Sequence, residues 1–202
     1  MCGAHAPIGR QRIMPRKRVG VLVSGRGSNM MALVEASRSP DCPYDIVLIA
    51  SDKPDAPGLV WASEQGIVCW SLSPKGIGKP AYEAALDAAL REANVEIIAL
   101  AGYMRLLSDD FVARWAGRII NIHPSLLPKY KGLDTHARAI AAGDAVAGCS
   151  VHIVTEELDG GEVLGQAEVP ILTDDTSETL ATRVLAAEHR LYPQILAAFA
   201  AR

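Results

Sequence analysis

Ile119-Ile120-Asn121-Ile122-His123-Pro124 is an apolar run that ends on an amide, an imidazole and a proline. Side chains alternate faces along a strand, so Asn121 and His123 share one face while Ile120 and Ile122 share the other. An amide donor and a titratable ring therefore project together where the strand runs out, and open α/β sheets hold ligands at such strand ends. The pair can hold and protonate a developing oxyanion, which is the chemistry of acyl or formyl transfer. The same residues also fit a plain strand end carrying a buried, hydrogen-bonded histidine.

Other segments carry comparable two-sided readings. Asp159-Gly160-Gly161 is a turn signal, and its functional reading is that the turn delivers Asp159 to His123, orienting the ring and supporting its charged form. Gly25-Arg26-Gly27-Ser28-Asn29 joins a strand to a helix; glycines there admit a ligand close to the backbone, and free N–H groups favour phosphate. Met30 stands where a dinucleotide fingerprint wants a third glycine, although Asp52 at the end of the second strand keeps an NAD reading open. Ser28 and Asn29 suit a terminal phosphomonoester better, and Arg26 either adds a charged contact or lies in solvent. A tight turn without a ligand is the alternative. Ser150 and His152 alternate onto one face of a strand, as cleft residues or simply as two hydrogen-bonded polar groups. No GxSxG elbow surrounds Ser150, which disfavours a serine hydrolase, and no HExxH-type cluster suggests a catalytic metal. Gly102 to Leu107 is an apolar loop, either a wall for a flat aromatic ligand or a core cap.

These residues must be positioned by the elements between them. Val19–Val23, Ile46–Ala50, Ile67–Trp70, Val95–Leu100 and Ile119–Ile122 are short apolar strands. Helices are expected after the glycine loop, near Leu59–Gln65 with Gly66 closing it, and from Pro80 at the first helical position through Leu90. The alternation predicts βαβ units, a parallel sheet covered on both faces. Ser150–Thr155 and Glu162–Pro170 then predict an antiparallel end to the sheet, and Ser177 caps a closing helix to about Ala200. The fold class is α/β: a single Rossmann-like domain over residues 19–202, with a mostly parallel twisted sheet ending in antiparallel strands.

Composition narrows the functions. With a net charge of -3 the chain has no electrostatic case for nucleic acid or an anionic membrane. No apolar run approaches the roughly 20 residues that span a bilayer. Cys2, Cys42, Cys69 and Cys149 are far apart and read as unpaired thiols of a reducing compartment, so the expected location is cytoplasmic. Residues 1–18 carry Arg10, Arg12, Arg16, Lys17 and Arg18 without an apolar signal core, and are expected to be a disordered tail, with Met14 as a possible alternative start.

In their order and spacing, SGRGSNM, AGYMRLLS, INIHPSLLPKYKG, SVHIVTEELDGG and AEHRLYP resemble the glycinamide ribonucleotide (phosphoribosylglycinamide) formyltransferase family, from about Val19 to Phe199. That resemblance implies direct attack of the amine of 5'-phosphoribosylglycinamide on the formyl carbon of 10-formyltetrahydrofolate, in purine biosynthesis and without a metal. It implies a catalytic trio in which Asn121 stabilises the tetrahedral oxyanion and His123, supported by Asp159, is the general acid. Gly27, Ser28, Asn29 and Glu188 match the ribonucleotide contacts. Met104, Arg105, Leu106 and Leu107 match the folate wall, together with Thr155, Glu156, Glu157, Leu158, Asp159 and Asn121. Lys79 stands where an arginine contacts folate, and its point charge is less directional. Lys129 to Gly132 resembles a mobile loop, and the Leu127-Pro128 bond is expected to be cis. The partners implied are two small molecules, with the protein a monomer or a homodimer.

Two related families share the trio but differ in length. Methionyl-tRNA formyltransferases add a carboxy-terminal domain, and formyltetrahydrofolate deformylases begin with a regulatory one. The length of this chain disfavours both.

Overall fold

A computed structural model describes residues 15–202. Strands β1 (Lys17–Val23), β2 (Tyr44–Ser51), β3 (Cys69–Ser71), β4 (Ile97–Leu100), β5 (Ile119–His123), β6 (Val146–Ile153) and β7 (Val163–Pro170) form one sheet in the order β3-β2-β1-β4-β5-β6-β7. The first five are parallel; β5–β6 and β6–β7 are antiparallel. Strand order reverses between β1 and β4, which makes their carboxyl ends the topological switch point where α/β sheets bind ligands.

Alternation along each strand sorts the apolar side chains into two layers. Val19, Val21 and Val23 of β1 face helices α1 (Ser28–Ser37), α2 (Pro57–Glu64) and α6 (Ser177–Ala200), whose Leu33, Ala62 and Leu196 are fully buried there. Leu22 faces the opposite layer, built on Leu86 and Leu90 of α3 (Gly78–Glu92) and Phe111 of α4 (Asp109–Arg114). At Gly20 a side chain would collide with Leu90, 2.9 Å from the place a Cβ would take, so glycine lets α3 lie close on β1. In β5, Ile120 and Ile122 join the α6 layer and Ile119 the α3 layer. Parity therefore turns Asn121 and His123 toward the α3–α4 side. Tyr192 of α6, fully buried, places its O–H 3.0 Å from Leu100 O and 3.2 Å from Ile120 O, pinning β4 and β5 from the other side.

Several boundaries differ from the expected ones. The strand expected from Val19 begins at Lys17, inside the span expected as a tail, and the last cations of that span are anchored. Arg16 bonds Asp45 at 2.9 Å, Lys17 bonds Glu96 at 2.9 Å, and Arg18 donates to the Ala93 carbonyl. Met14 and the rest of the expected tail lie outside the described residues. Pro80 is the third residue of α3, not the first, still within the turn whose N–H groups need no helical partner. Thr176, not Ser177, caps α6, through a reciprocal box with Thr179. Strand β6 starts at Val146, ahead of Ser150, while β3 is shorter than expected. Two short helices, α4 and α5 (Thr135–Ala141), were not anticipated.

Candidate active site

The carboxyl ends of β1, β4 and β5 open into a cleft of about 770 Å³. Asn121, His123 and Asp159 all line it. His123 is buried, and its Nδ1 lies 3.4 Å from Asp159 Oδ2. Its Nε2 lies 3.0 Å from the carbonyl oxygen of Tyr130, an atom that only accepts, so Nε2 carries a proton. An acceptor thus lies near each ring nitrogen. Asp159 Oδ2 also accepts the Gly132 N–H at 2.9 Å. Burial alone would raise the Asp159 carboxyl; the Gly132 N–H and the charge of His123 are among the influences that outweigh it and hold the group below its ordinary range. Tyr130 and Gly132, both at positive φ, bend their loop so that its main chain grips both members of the pair.

A second set of polar groups sits at the start of α1. Gly27 takes a left-handed conformation, φ 74°, at the N-cap of α1, where a Cβ would also press on Met30. Asn29 Nδ2 donates to Glu188 Oε2 at 2.6 Å, and both side chains line the cleft. Burial pushes the Glu188 carboxyl up, against the bond from Asn29. Asn29 Oδ1 and His136 Nδ1 are buried with no hydrogen-bond partner, and both residues border the cleft. Burial and then the charge of His123 push His136 down. Buried polar atoms left open in this way suit a ligand rich in hydroxyl and amine groups.

The opposite wall is apolar at its surface and clamped behind. Met104 and Leu106 are mostly exposed to the cleft. The Met104 N–H donates to Ser24 Oγ at 2.9 Å, and Ser24 Oγ donates to buried Asp52 at 2.6 Å. Glu83 of α3, also buried, accepts the Ser108 N–H at 2.8 Å and the Ser108 hydroxyl. Two carboxylates thus fix the two ends of the segment Met104–Ser108. Asp52 is engaged with Ser24 and is not presented as a ribose-binding acid, which removes the support for an NAD site.

A model of the formyl transferase family matches residues 17–196. The chain belongs to the formyl transferase family. Among solved structures, a phosphoribosylglycinamide formyltransferase from Brucella melitensis superposes with a TM-score of 0.89 at 54% identity, covering 93% of this chain and 97% of that one. The phosphoribosylglycinamide formyltransferase of Escherichia coli is 42% identical over 181 residues, which cover 89% of this chain and 85% of the relative. A trifunctional purine biosynthetic protein of Drosophila melanogaster is 46% identical over 185 residues; the match covers 90% of this chain and 14% of the much longer relative.

Within this formyl transferase domain the residues expected from sequence are not all brought together. Lys79, Met104 to Leu107, Thr155 to Asp159, Asn29 and Glu188 border the same cleft as the trio. Gly27 and Ser28 lie at the head of α1, beside Asn29 but outside the cleft lining. Arg26 is exposed. The Leu127-Pro128 bond is cis. His152, which the sequence places either in the cleft or as a plain strand residue, is buried in the cleft, with Nε2 3.5 Å from Asp159 Oδ1 and 3.2 Å from Asn121 Nδ2. Its companion Ser150 instead braces the 125–127 turn, bonding Ser125 O and Leu127 N. Nothing in the local sequence of His136 distinguishes it as a cleft residue. Among the described residues, no helix is long and apolar enough to cross a membrane.

Proposed function

We propose that the chain transfers the formyl group of 10-formyltetrahydrofolate to the amine of 5'-phosphoribosylglycinamide; bacterial relatives matched over 85% or more of their length are named phosphoribosylglycinamide formyltransferases. The observation that carries the reading is the convergence of Asn121, His123 and Asp159 in one cleft, with a ring nitrogen and a carboxylate oxygen 3.4 Å apart. Formyl transfer forms a bond from the amine nitrogen to the formyl carbon and breaks that carbon's bond to the folate nitrogen. One proton leaves the amine, and one is gained at the folate nitrogen.

Each residue then has a defined part. Asn121 donates an amide N–H to the formyl oxygen as charge develops on it. His123 gives a proton as general acid once its Nε2 leaves the Tyr130 carbonyl, and Asp159 balances the charge of the ring. The ribonucleotide phosphate takes the backbone N–H groups of Gly27 and Ser28, with Asn29 and Glu188 meeting the rest of that substrate. The flat folate body lies on Met104 to Leu107, bounded by Thr155 to Leu158 and Lys79. The protein works on two small molecules without metal, nucleic acid or membrane, as a monomer or a homodimer. Cys42, Cys69 and Cys149 are free, as suits the cytoplasm.

The test is consumption of 10-formyltetrahydrofolate, followed by absorbance with and without 5'-phosphoribosylglycinamide. Turnover only with the ribonucleotide supports the reading. Turnover without it points to a deformylase, and none in either case rejects formyl transfer to this acceptor.

A further inference from the structure

His152 lies near the end of β6, 2% exposed, and its partner across the antiparallel β5–β6 ladder is Asn121. Its Nδ1 is 2.9 Å from the carbonyl oxygen of Ile153, which can only accept, so Nδ1 carries a proton. In the neutral ring Nε2 then holds a lone pair. The nearest donor to that lone pair is Asn121 Nδ2, at 3.2 Å.

An amide side chain has two ends of nearly equal shape and opposite hydrogen-bonding character. Were Asn121 turned over, its oxygen would face the Nε2 lone pair, with Asp159 Oδ1 as a further acceptor 3.5 Å from that nitrogen. Three acceptors would then crowd one buried corner with no proton between them. With nitrogen inward, one N–H is satisfied by His152 and the other is left for the cleft that Asn121 lines.

We propose that His152 is a positioning residue: as the Nδ1–H tautomer it accepts from Asn121 and so fixes which end of that amide faces the reacting oxygen. The proposal deepens the formyl-transfer reading and rests on it. His152 touches no substrate. It acts by holding the oxyanion donor in one of two orientations that would otherwise be similar in energy.

Two amide replacements separate this role from a structural one. His152→Asn places its amide near the former Nδ1, keeping a donor to Ile153 O and leaving nothing at Nε2. His152→Gln reaches toward the former Nε2 and offers an oxygen to Asn121. The expected result is kcat within about tenfold of wild type for His152→Gln, and a loss of about 10²–10³-fold for His152→Asn, the size of a missing oxyanion donor. KM for both substrates stays within a few-fold. Adding Asn121→Ala to His152→Asn should cost little more. Equal losses in the two variants, or a larger loss for His152→Gln, would overturn the proposal, since a structural role through Ile153 favours asparagine.

A second measurement needs no turnover. Long-range proton–nitrogen spectra of the substrate-free protein should show His152 protonated at Nδ1 with a bare Nε2. A proton on Nε2, alone or together with one on Nδ1, overturns the proposal whatever the enzyme's activity. If the wild type fails to transfer formyl while this tautomer is present, the functional reading falls and the hold on Asn121 stands.

Discussion

Glu188 accepts a 2.6 Å hydrogen bond from Asn29 while both side chains are buried, and Asn29 keeps its own oxygen unpaired. A carboxylate in that position is costly to the free protein, because burial disfavours its charge and one amide does not compensate. The folded chain binds this proton more tightly than the unfolded one. Stability therefore falls as pH rises from the ordinary glutamate range through the folded-state pKa.

Glu188→Gln removes that cost. At neutral pH the substrate-free variant should melt about 2–4 °C above wild type, the change expected of about 1 kcal/mol in a domain of this size. The gap should close toward about pH 4, where the unfolded carboxyl also protonates. KM for the ribonucleotide should rise at least tenfold. Thermal melts across pH check the first part; a variant no more stable than wild type at neutral pH would contradict it.

Asp159 has the opposite sign. The Gly132 N–H and the charge of His123 help to overcome burial and lower its folded pKa, so its contribution is complete above about pH 4 and is lost as pH falls through the folded value. Urea unfolding should show wild type ahead of Asp159→Asn at neutral pH, with the difference shrinking in acid. At neutral pH the variant should lose about 10²-fold or more in kcat. An unchanged rate and pH profile would remove Asp159 from the mechanism.

Glu83 and Ser24 should act on binding more than on chemistry, since they hold the wall at Ser108 and Met104 and touch no reacting group. Glu83→Ala frees a backbone N–H and a hydroxyl, at a cost of about 1–3 kcal/mol in stability. In both Glu83→Ala and Ser24→Ala, KM for the formyl donor should rise severalfold with kcat within about threefold of wild type. Steady-state kinetics with saturating ribonucleotide tests this, and a fall confined to kcat would refute it.

Gly27→Ala should cost about 1–2 kcal/mol, because φ 74° disfavours any Cβ. The predicted kinetic signature is a higher KM for the ribonucleotide and unaltered affinity for a folate analogue. Equilibrium titration with each ligand distinguishes the two; equal weakening of both would place Gly27 outside a phosphate site.

The strand end at His123 and the turn at Asp159 were legible because period-two alternation and turn chemistry are local properties. His152 was not, since its role depends on facing Asn121, and the register of β6 against β5 is set by long-range pairing. The Asp52 reading failed for a similar reason: its partner Ser24 lies on the neighbouring strand's end, and an acid after a strand looks the same whether it meets ribose or serine. The two unanticipated helices are too short for periodicity to speak. Helix α4 does carry a signal in Ser108-Asp109-Asp110, a cap followed by acidic first-turn residues, whereas the N-cap residue of α5, Asp134, makes no side-chain capping bond. Thr176 displaced Ser177 as the cap of α6 because Thr179 could answer it three residues on.

Tyr130 and Gly132 grip the acid and its carboxylate with a carbonyl and an N–H, while the Tyr130 hydroxyl turns elsewhere, to Asp144. Alanine at position 130 deletes the ring and keeps the carbonyl, so an alanine scan will pass over the segment that seats His123. Apart from proline at 132, which lacks the N–H, codon changes leave these two atoms in the chain. Only chemistry on the backbone removes one cleanly: an ester bond in place of the amide before Gly132, introduced by semisynthesis, deletes the donor to Asp159 and leaves every side chain untouched.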